Sequence, residues 1–550
     1  MSVTDGESET AEDEGHRALS LLDGVKNAEL ITQIAGGVNT TSDARRMIAV
    51  FDNGIAFIAH GKRWSPVVKT VLSDVRKAGY TVTDIHEVEV RFLIDVYQRF
   101  KGKSEAQATI TNEIERQRAL RSMIEAAVRM EASDIQIRIM SQYAEFRIRV
   151  FGRMQDLDSR DPEEGKALIR AAFAVGSDLG NSTSELSFQQ GALTPRSGLL
   201  PPGVEMIRMQ YSPTSEGRGA LAMRLKYYGK SDEIEIDSLG YGPAHIRDIA
   251  TMRRRTNGLY VFAGKVSSGK STTLQRVLNK MFSDKRREIS TYTIEEPVEL
   301  DLRGAIQVPV KINADGTDGF VEGMKAALRS DPNVIVLGEI RSQQTAYLAI
   351  QAVMTGHALW STIHAGSALG ILDRLTDLGV EKWKIEDPTI VRGLVYQRLI
   401  GRICRHCRID YRHGIETGRI DAELGNSLSE ILQKPLEELY LRGDGCRHCR
   451  HGLAGRTVVA ETIQTTPYML ELYAAEKRAE MRKHWLRPES EGGMGGSPVI
   501  HHALTKVGAG ISDINEVEEE VDLVELYKRD YNQLFERLRN DVARLEKTGR

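Results

Sequence analysis

The apolar positions of this chain change period several times, and each change predicts an element. In EIERQRALRSMIEAAVRM, Ile114, Leu120, Ile124 and Val128 fall near one helical face. ASDIQIRIMSQYAEFRIRVFGRM follows, with apolar and polar residues alternating on both sides of a polar turn, the pattern of two half-buried strands. Beyond Gly-, Ser- and Pro-rich loops near 176–203 comes GLYVFAG, an unbroken apolar run short enough for a strand buried on both faces. Behind it STTLQRVLNKMF sets Leu274, Val277, Leu278, Met281 and Phe282 at helical steps. Further strands are predicted in STYTIEEPVEL, stopped by Pro297, in NVIVLGEIRS and in MTGHALWSTIHAG, at intervals suited to successive α/β units. Near the C-terminus, Tyr527, Tyr531, Leu534, Leu538, Val542 and Leu545 recur at alternating steps of three and four, a stripe for a partner helix or, more often, for packing on its own domain. ESEGGMGGSP at 489–498 reads as a flexible loop or linker. The first 105 residues open with an acidic stretch that predicts disorder and continue into mixed helix and strand patterns such as VVKTVLSDVRKAGYTV, without a chemical signature.

The turn between GLYVFAG and its helix is where chemistry enters. Residues 264–271, GKVSSGKS, fit G-x-x-x-x-G-K-[ST], a loop whose backbone N–H groups wrap a β-phosphate. Lys270 would reach the β/γ oxygens and the Ser271 hydroxyl would bind Mg²⁺; Gly264, Ser268, Gly269 and Thr272 complete the nucleotide-binding set. The helix that follows adds unpaired N–H groups and the positive end of its dipole. A plain Gly/Ser turn between two core elements is the alternative, and the strand–loop–helix order argues against it. Glu295 and Glu296 end one later strand, Glu339 ends another, and His357 and His364 stand either side of a third. In an open parallel sheet the ligand lies at the C-terminal strand ends, so these side chains can converge on the nucleotide.

Charge narrows the function class. With 74 basic and 77 acidic residues in 550, the chain lacks the excess expected of a protein that holds nucleic acid mainly by phosphate contacts, although a local basic groove stays open. The RRRTNG segment at 253–258 fits a solvated helix end better than a nucleic-acid contact. MSVTDGESETAEDEGH carries six acidic residues and no Lys or Arg, the reverse of a signal peptide, and no run approaches the roughly 18 to 20 apolar residues of a membrane span. Those features predict a cytoplasmic chain whose membrane association would come through a partner or a surface patch. All four cysteines lie in two CRHC tetrapeptides, Cys404 with Cys407 and Cys446 with Cys449. Four thiolates can hold one tetrahedral Zn²⁺ with the 38-residue insert as a small subdomain, disulfide or redox use being the alternative. His406 and His448, inside the knuckles, are then exposed polar filler.

In its order of motifs the chain resembles the type II/type IV secretion ATPase superfamily, most closely the assembly ATPases of type IV pili and type II secretion systems. TIEEPVE matches that family's Asp box, LRSDPNVIVLGEIR its Walker B strand and TGHALWSTIH its His box; ASDIQIR and FRIRVFGRM resemble its upstream elements, and GCRHCRHGLAGRTVVAE its metal-binding subdomain. Glu296 stands in place of the usual Asp, Lys265 and Ser267 in place of a Pro and a Gly, Ser342 in place of an Asp, and Ala365-Gly366 in place of Thr-Asn, which suggests a divergent, type IVb or plasmid-encoded pilus branch. The resemblance implies an α/β fold: a RecA-like motor domain (237–399) preceded by a small PAS-like α/β domain (106–236), with residues 1–105 ahead of it, a zinc subdomain at 400–463 and a helical region at 464–550. It also implies a homo-hexamer, peripheral at the inner membrane, that hydrolyses ATP with Mg²⁺ between the small and motor domains and acts on a platform protein. Lys270, Glu295 and Glu339 would be catalytic, with Glu295 activating water and Glu339 holding the Mg²⁺ shell. His357 and His364 would sense the γ-phosphate. Arginine fingers would be Arg208 and Arg224, with Arg218 a weaker choice. A conjugation or DNA-translocating hexamer on the same core is the alternative function. Because retraction motors of the family lack both the paired C-x-x-C subdomain and a long N-terminal extension, the resemblance implies fibre assembly.

Overall fold

Alternation and burial sort the strands into three main sheets. The computed structural model describes residues 24–547, apart from 27, 33–37, 39, 41, 101–102, 177–186, 215–217, 229–234, 286–287, 297, 299–301, 303 and 311–318. The acidic start, part of the 176–203 loops and Pro297 therefore lie outside the described residues. Strands β1 (Ile48–Val50), β2 (Ile55–Ala59) and β3 (Asp84–Val88) form the first sheet, covered by helices Pro66–Lys77 and Val90–Arg99. Val68, Val71 and Val75 face it from the first helix, which accounts for the apolar pattern of that stretch.

The second sheet is antiparallel throughout: β4 (Asp134–Ile139), β5 (Ala144–Val150), β6 (Arg153–Arg160), β7 (Gln189–Leu193), β8 (Val204–Pro213) and β9 (Gly219–Tyr227), in the order β6-β5-β4-β9-β8-β7. One face buries Ile135, Ile137, Phe146 and Ile148 against helices Lys103–Arg129 and Pro162–Gly176. Leu120, Met123, Ile124 and Ala127 are the helix positions that meet it. The opposite face is polar, as a half-buried antiparallel sheet requires.

The third sheet carries β10 (Gly258–Ala263), β11 (Thr291–Glu295), β12 (Ile306–Pro309), β13 (Val334–Leu337), β14 (Ala358–Ile363) and β15 (Val391–Ile403). A short ribbon, β16 (Ile409–Asp410) with β17 (Tyr440–Leu441), lies between the cysteine pairs, and β18 (Leu453–Gln464) returns to the third sheet. Its order is β12-β11-β13-β14-β10-β15-β18, parallel except for the antiparallel edge β18. Helices on both faces bury the central strands β10, β13 and β14 at every position. Along β10, Leu259, Val261 and Ala263 enter one core and Tyr260 and Phe262 the other, where Tyr260 stacks on Trp360.

Two segments near the C-terminus differ in how the pattern is used. The 527–545 stripe is broken at Asn532–Leu534 into helices Val524–Asp530 and Phe535–Lys547, and it packs inward on its own chain, with Tyr527, Leu538 and Val542 buried. In the 489–498 segment residues 489–492 stay exposed, while residues 493–498 pack against the chain. Gly495 and Gly496 accept from Arg537, and a Cβ on Gly496 would stand 1.9 Å from Trp485 Nε1. Glycine serves close approach there. Among the described residues no helix is long and apolar enough to cross a membrane.

Candidate nucleotide-binding site

β10 delivers the phosphate loop at the C-terminal edge of the parallel sheet, and helix Lys270–Asp284 begins directly after it. Gly264 and Gly269 have φ of +153° and +85°, and a Cβ on Gly264 would meet Gln397 O at 2.4 Å. Only glycine fits that approach. Lys270 Nζ donates to Gly264 O at 2.9 Å and Lys265 O at 3.0 Å, so the ammonium is folded over its own loop. Ser268 Oγ is buried without a hydrogen-bond partner, an orphan that a phosphate oxygen would satisfy. Ser271 and Thr272 start the helix, where N–H groups point out along its axis.

The strand register sets the remaining groups in a row. Ala263 lies opposite Ile363, and Leu337 opposite both Ile294 and Ser361, so the ends of β11, β13, β14 and β10 share one edge. Glu295 closes β11, its Oε1 accepting from Thr293 Oγ1 at 2.7 Å and Gln307 Nε2 at 3.1 Å. Two residues past β13, Glu339 pairs with His364, which follows β14: Nε2 to Oε1 is 3.0 Å. Glu296 is engaged elsewhere, in an ion pair with Arg341, whose guanidinium also covers Phe320. His357 stands at the start of β14, the opposite edge of the sheet, with Nδ1 within 3.0 Å of Ala352 O and Thr355 Oγ1 at the end of helix Gln343–Met354. The structure thus gathers the phosphate loop, Glu295, Glu339 and His364, and leaves His357 outside the group.

From the second sheet the polar face supplies cations. Arg208, Arg224, Asp134 and Arg149 are successive cross-strand neighbours on β8, β9, β4 and β5. Arg224 reaches the phosphate loop, its Nη2 donating to Ser267 Oγ at 2.7 Å and its Nε lying 3.4 Å from Asp134. Arg208 is one strand further out in the same row. Arg218 lies at the mouth of the β8–β9 hairpin, about 20 Å along the strand from Arg224 at the usual rise per residue.

A polar network under the loop escapes sequence reasoning. Gln397 on β15 donates through Nε2 to Ser268 O at 2.7 Å, and its Oε1 accepts from the Tyr241 hydroxyl at 2.5 Å. Burial pushes the Tyr241 phenol well above its ordinary range, which keeps it a donor. Nothing in the pattern around residues 241 and 397 marks them, because partners 156 positions apart share no local period.

The cysteines form a second cluster. Cys404 to Cys446, Cys407 to Cys449 and Cys446 to Cys449 are each 3.7 Å between sulfurs, and all four lie within 4.8 Å of one another. Four thiolates at a Zn–S distance near 2.3 Å in a tetrahedron give a sulfur separation of about 3.8 Å, so the donors fit zinc. His406 and His448 are exposed and stack on each other outside the cluster.

The family model described as "Type II/IV secretion system protein" matches residues 110–519. Type II secretion system protein E of Klebsiella pneumoniae is 34% identical over 347 residues, 63% of this chain and 65% of that protein. The type IV pilus assembly ATPase PilB of Thermus thermophilus is 28% identical over 487 residues, 86% of this chain and 51% of its own length. The chain thus spans just under two thirds of the first and about half of the second. A crystal structure of the pilus retraction motor PilT with bound ADP aligns at 21% identity and a TM-score of 0.48, covering 74% of this chain and 98% of that one.

Proposed function

Because this chain belongs to the type II/IV secretion system protein family, we propose that it is a hexameric ATPase that powers assembly of a type IV pilus, or of a related secretion pseudopilus, through an inner-membrane platform protein. The observation that carries the reading is the convergence of the phosphate loop, Glu295, the Glu339–His364 pair and Arg224 at one sheet edge. Phosphoryl transfer to water needs positioning and charge neutralisation more than covalent chemistry, and each group supplies one of these.

Lys270 would leave its own loop carbonyls for the β/γ-phosphate oxygens. Glu295, oriented by Thr293 and Gln307, would align and deprotonate water. Ser271 and Glu339 would hold Mg²⁺, which neutralises phosphate charge when bound. His364, in contact with Glu339, would register the loss of the terminal phosphate. Arg224, backed by Arg208, would bring positive charge from the small domain. Cys404, Cys407, Cys446 and Cys449 would hold Zn²⁺, which would tie the ends of the inserted segment together. Location at the cytoplasmic face of the membrane follows from the proposed partner.

Purified Lys270→Ala should bind and hydrolyse ATP at background rates, and a pull-down from detergent-solubilised membranes should recover a polytopic platform protein. Stimulation by DNA with a steep salt dependence would favour the translocase alternative instead. A deletion strain should lack surface fibres; fibres that persist but fail to retract would reverse the direction of the stroke.

A further inference from the structure

Ser267 has a φ of +63°, in the left-handed region that a serine side chain enters at a cost. Its hydroxyl turns outward and accepts from Arg224 Nη2 at 2.7 Å, while the neighbouring Ser268 hydroxyl turns inward and is buried. Arg224 is held from its other side by Asp134, 3.4 Å from Nε, and Asp134 is fixed in turn by the Ser133 hydroxyl at 2.8 Å and by Arg149 at 3.4 Å. The planar guanidinium can serve two partners at once, which an ammonium on a flexible stem does less well. Two residues along the same strand, Lys226 pairs with Glu205 and donates to Val298 O at 3.1 Å. Strand β9 is therefore stapled to the motor domain at two points on one face.

We propose that Ser267 is a positioning residue: its hydroxyl docks Arg224 of the small domain on the phosphate loop before nucleotide arrives, so that the guanidinium is already beside the loop when phosphate enters. The inference rests on reading that loop as a nucleotide site. It explains why a serine occupies a backbone conformation suited to glycine: the hydroxyl gives a hydrogen bond to a charged donor that glycine cannot give. It also makes a prediction opposite in sign to a merely structural role. Glycine relieves the backbone and should leave the loop as good or better, yet it removes the dock.

The test compares Ser267→Gly, Ser267→Ala and Ser267→Asn, the last because asparagine tolerates the left-handed conformation and its amide oxygen can accept from a guanidinium. In nucleotide-free protein, hydrogen exchange across residues 219–228 should quicken in the glycine and alanine variants and stay near wild type in the asparagine variant. With ATP, the first two should lose kcat by about tenfold at nearly constant KM, the order expected for one hydrogen bond to a charged group. In an Arg224→Ala background, Ser267→Gly should add no further loss. Unchanged exchange and kcat in Ser267→Gly, or an equal loss with and without Arg224, would overturn the proposal. If the wild-type protein hydrolyses no nucleotide the ATPase reading fails, and the exchange experiment still decides whether Ser267 docks the small domain.

Discussion

Glu295 and Glu296 are adjacent carboxylates with different surroundings. Glu295 is steered by two neutral donors at the strand end, whereas Glu296 is spent on Arg341. Glu296 is held by Arg341 and is not free to orient water, so Glu295→Gln should keep nucleotide binding and lose about 10² or more in turnover, while Glu296→Gln loses much less. Single-turnover hydrolysis beside a binding titration separates the two, and the reverse result would exchange their roles. Buried imidazoles lead to a pH prediction. His245 and His502 lie with ring centroids 4.4 Å apart, and each Nδ1 accepts a backbone N–H, from Gly242 and Ala460. Burial holds His502 well below the usual imidazole range and takes His245 down to about 3, while nearby Lys506 is brought to about 7. Lys506 and His501 oppose further positive charge on both rings. The unfolded chain protonates these rings near pH 6.5 and the folded chain does not, so their contribution is complete above that pH and is lost as pH falls toward 3. The urea midpoint should therefore be lower at pH 5 than at pH 7.5, with a smaller drop in His502→Asn; equal drops in the two proteins would place the titration elsewhere.

At the scale of elements, the inserted segment between the cysteine pairs depends on its knuckles for closure. Metal analysis should find about one Zn²⁺ per chain, and Cys404→Ser should open residues 404–449 to protease, since structural zinc contributes on the order of 10 kcal/mol to folding small domains. Metal-free protein with native protease resistance in this segment would refute the assignment. The strand–loop–helix at 258–284 and the alternating pair at 134–150 were legible in the sequence because each rests on a local period that burial enforces. The loop at 489–498 was not, because glycine spacing alone cannot distinguish mobility from close approach to an aromatic ring such as Trp485. Nor was the support beneath the phosphate loop, since Tyr241 and Gln397 are single polar residues whose meaning comes from tertiary contact. His357 illustrates the same limit within a recognised motif: the strand between it and His364 was legible, but a six-residue strand carries its two ends to opposite edges of the sheet.

Across the whole molecule the second sheet and its helices are held at separate places by segments far apart in sequence. Arg224 touches the phosphate loop; Arg450, next to the last cysteine, donates to Arg129 O at the end of helix Lys103–Arg129; Arg153 on β6 binds Glu516 at 2.8 Å and Glu519 at 2.6 Å on helix Ile514–Glu520. Glu516 is the junction of the last of these, because its carboxylate also takes Arg442 from the inserted segment at 3.4 Å and the Gly401 N–H from β15 at 3.3 Å. Its side chain is 8% exposed and that of Arg153 37%, so the ion pair is neither dry nor fully screened. Removing the buried partner leaves two guanidinium groups without their shared carboxylate, and Glu516→Ala should cost about 2 kcal/mol, between the values for exposed and buried pairs. A general loss of packing would quicken exchange throughout the third sheet. Loss of a junction should instead quicken it first in β6 and in helix Ile514–Glu520, while β10 and β14 keep native protection. Urea unfolding gives the magnitude and hydrogen exchange of the same variant gives the location; uniform quickening, or none in β6, would show that Glu516 does not anchor the second sheet to the rest of the chain.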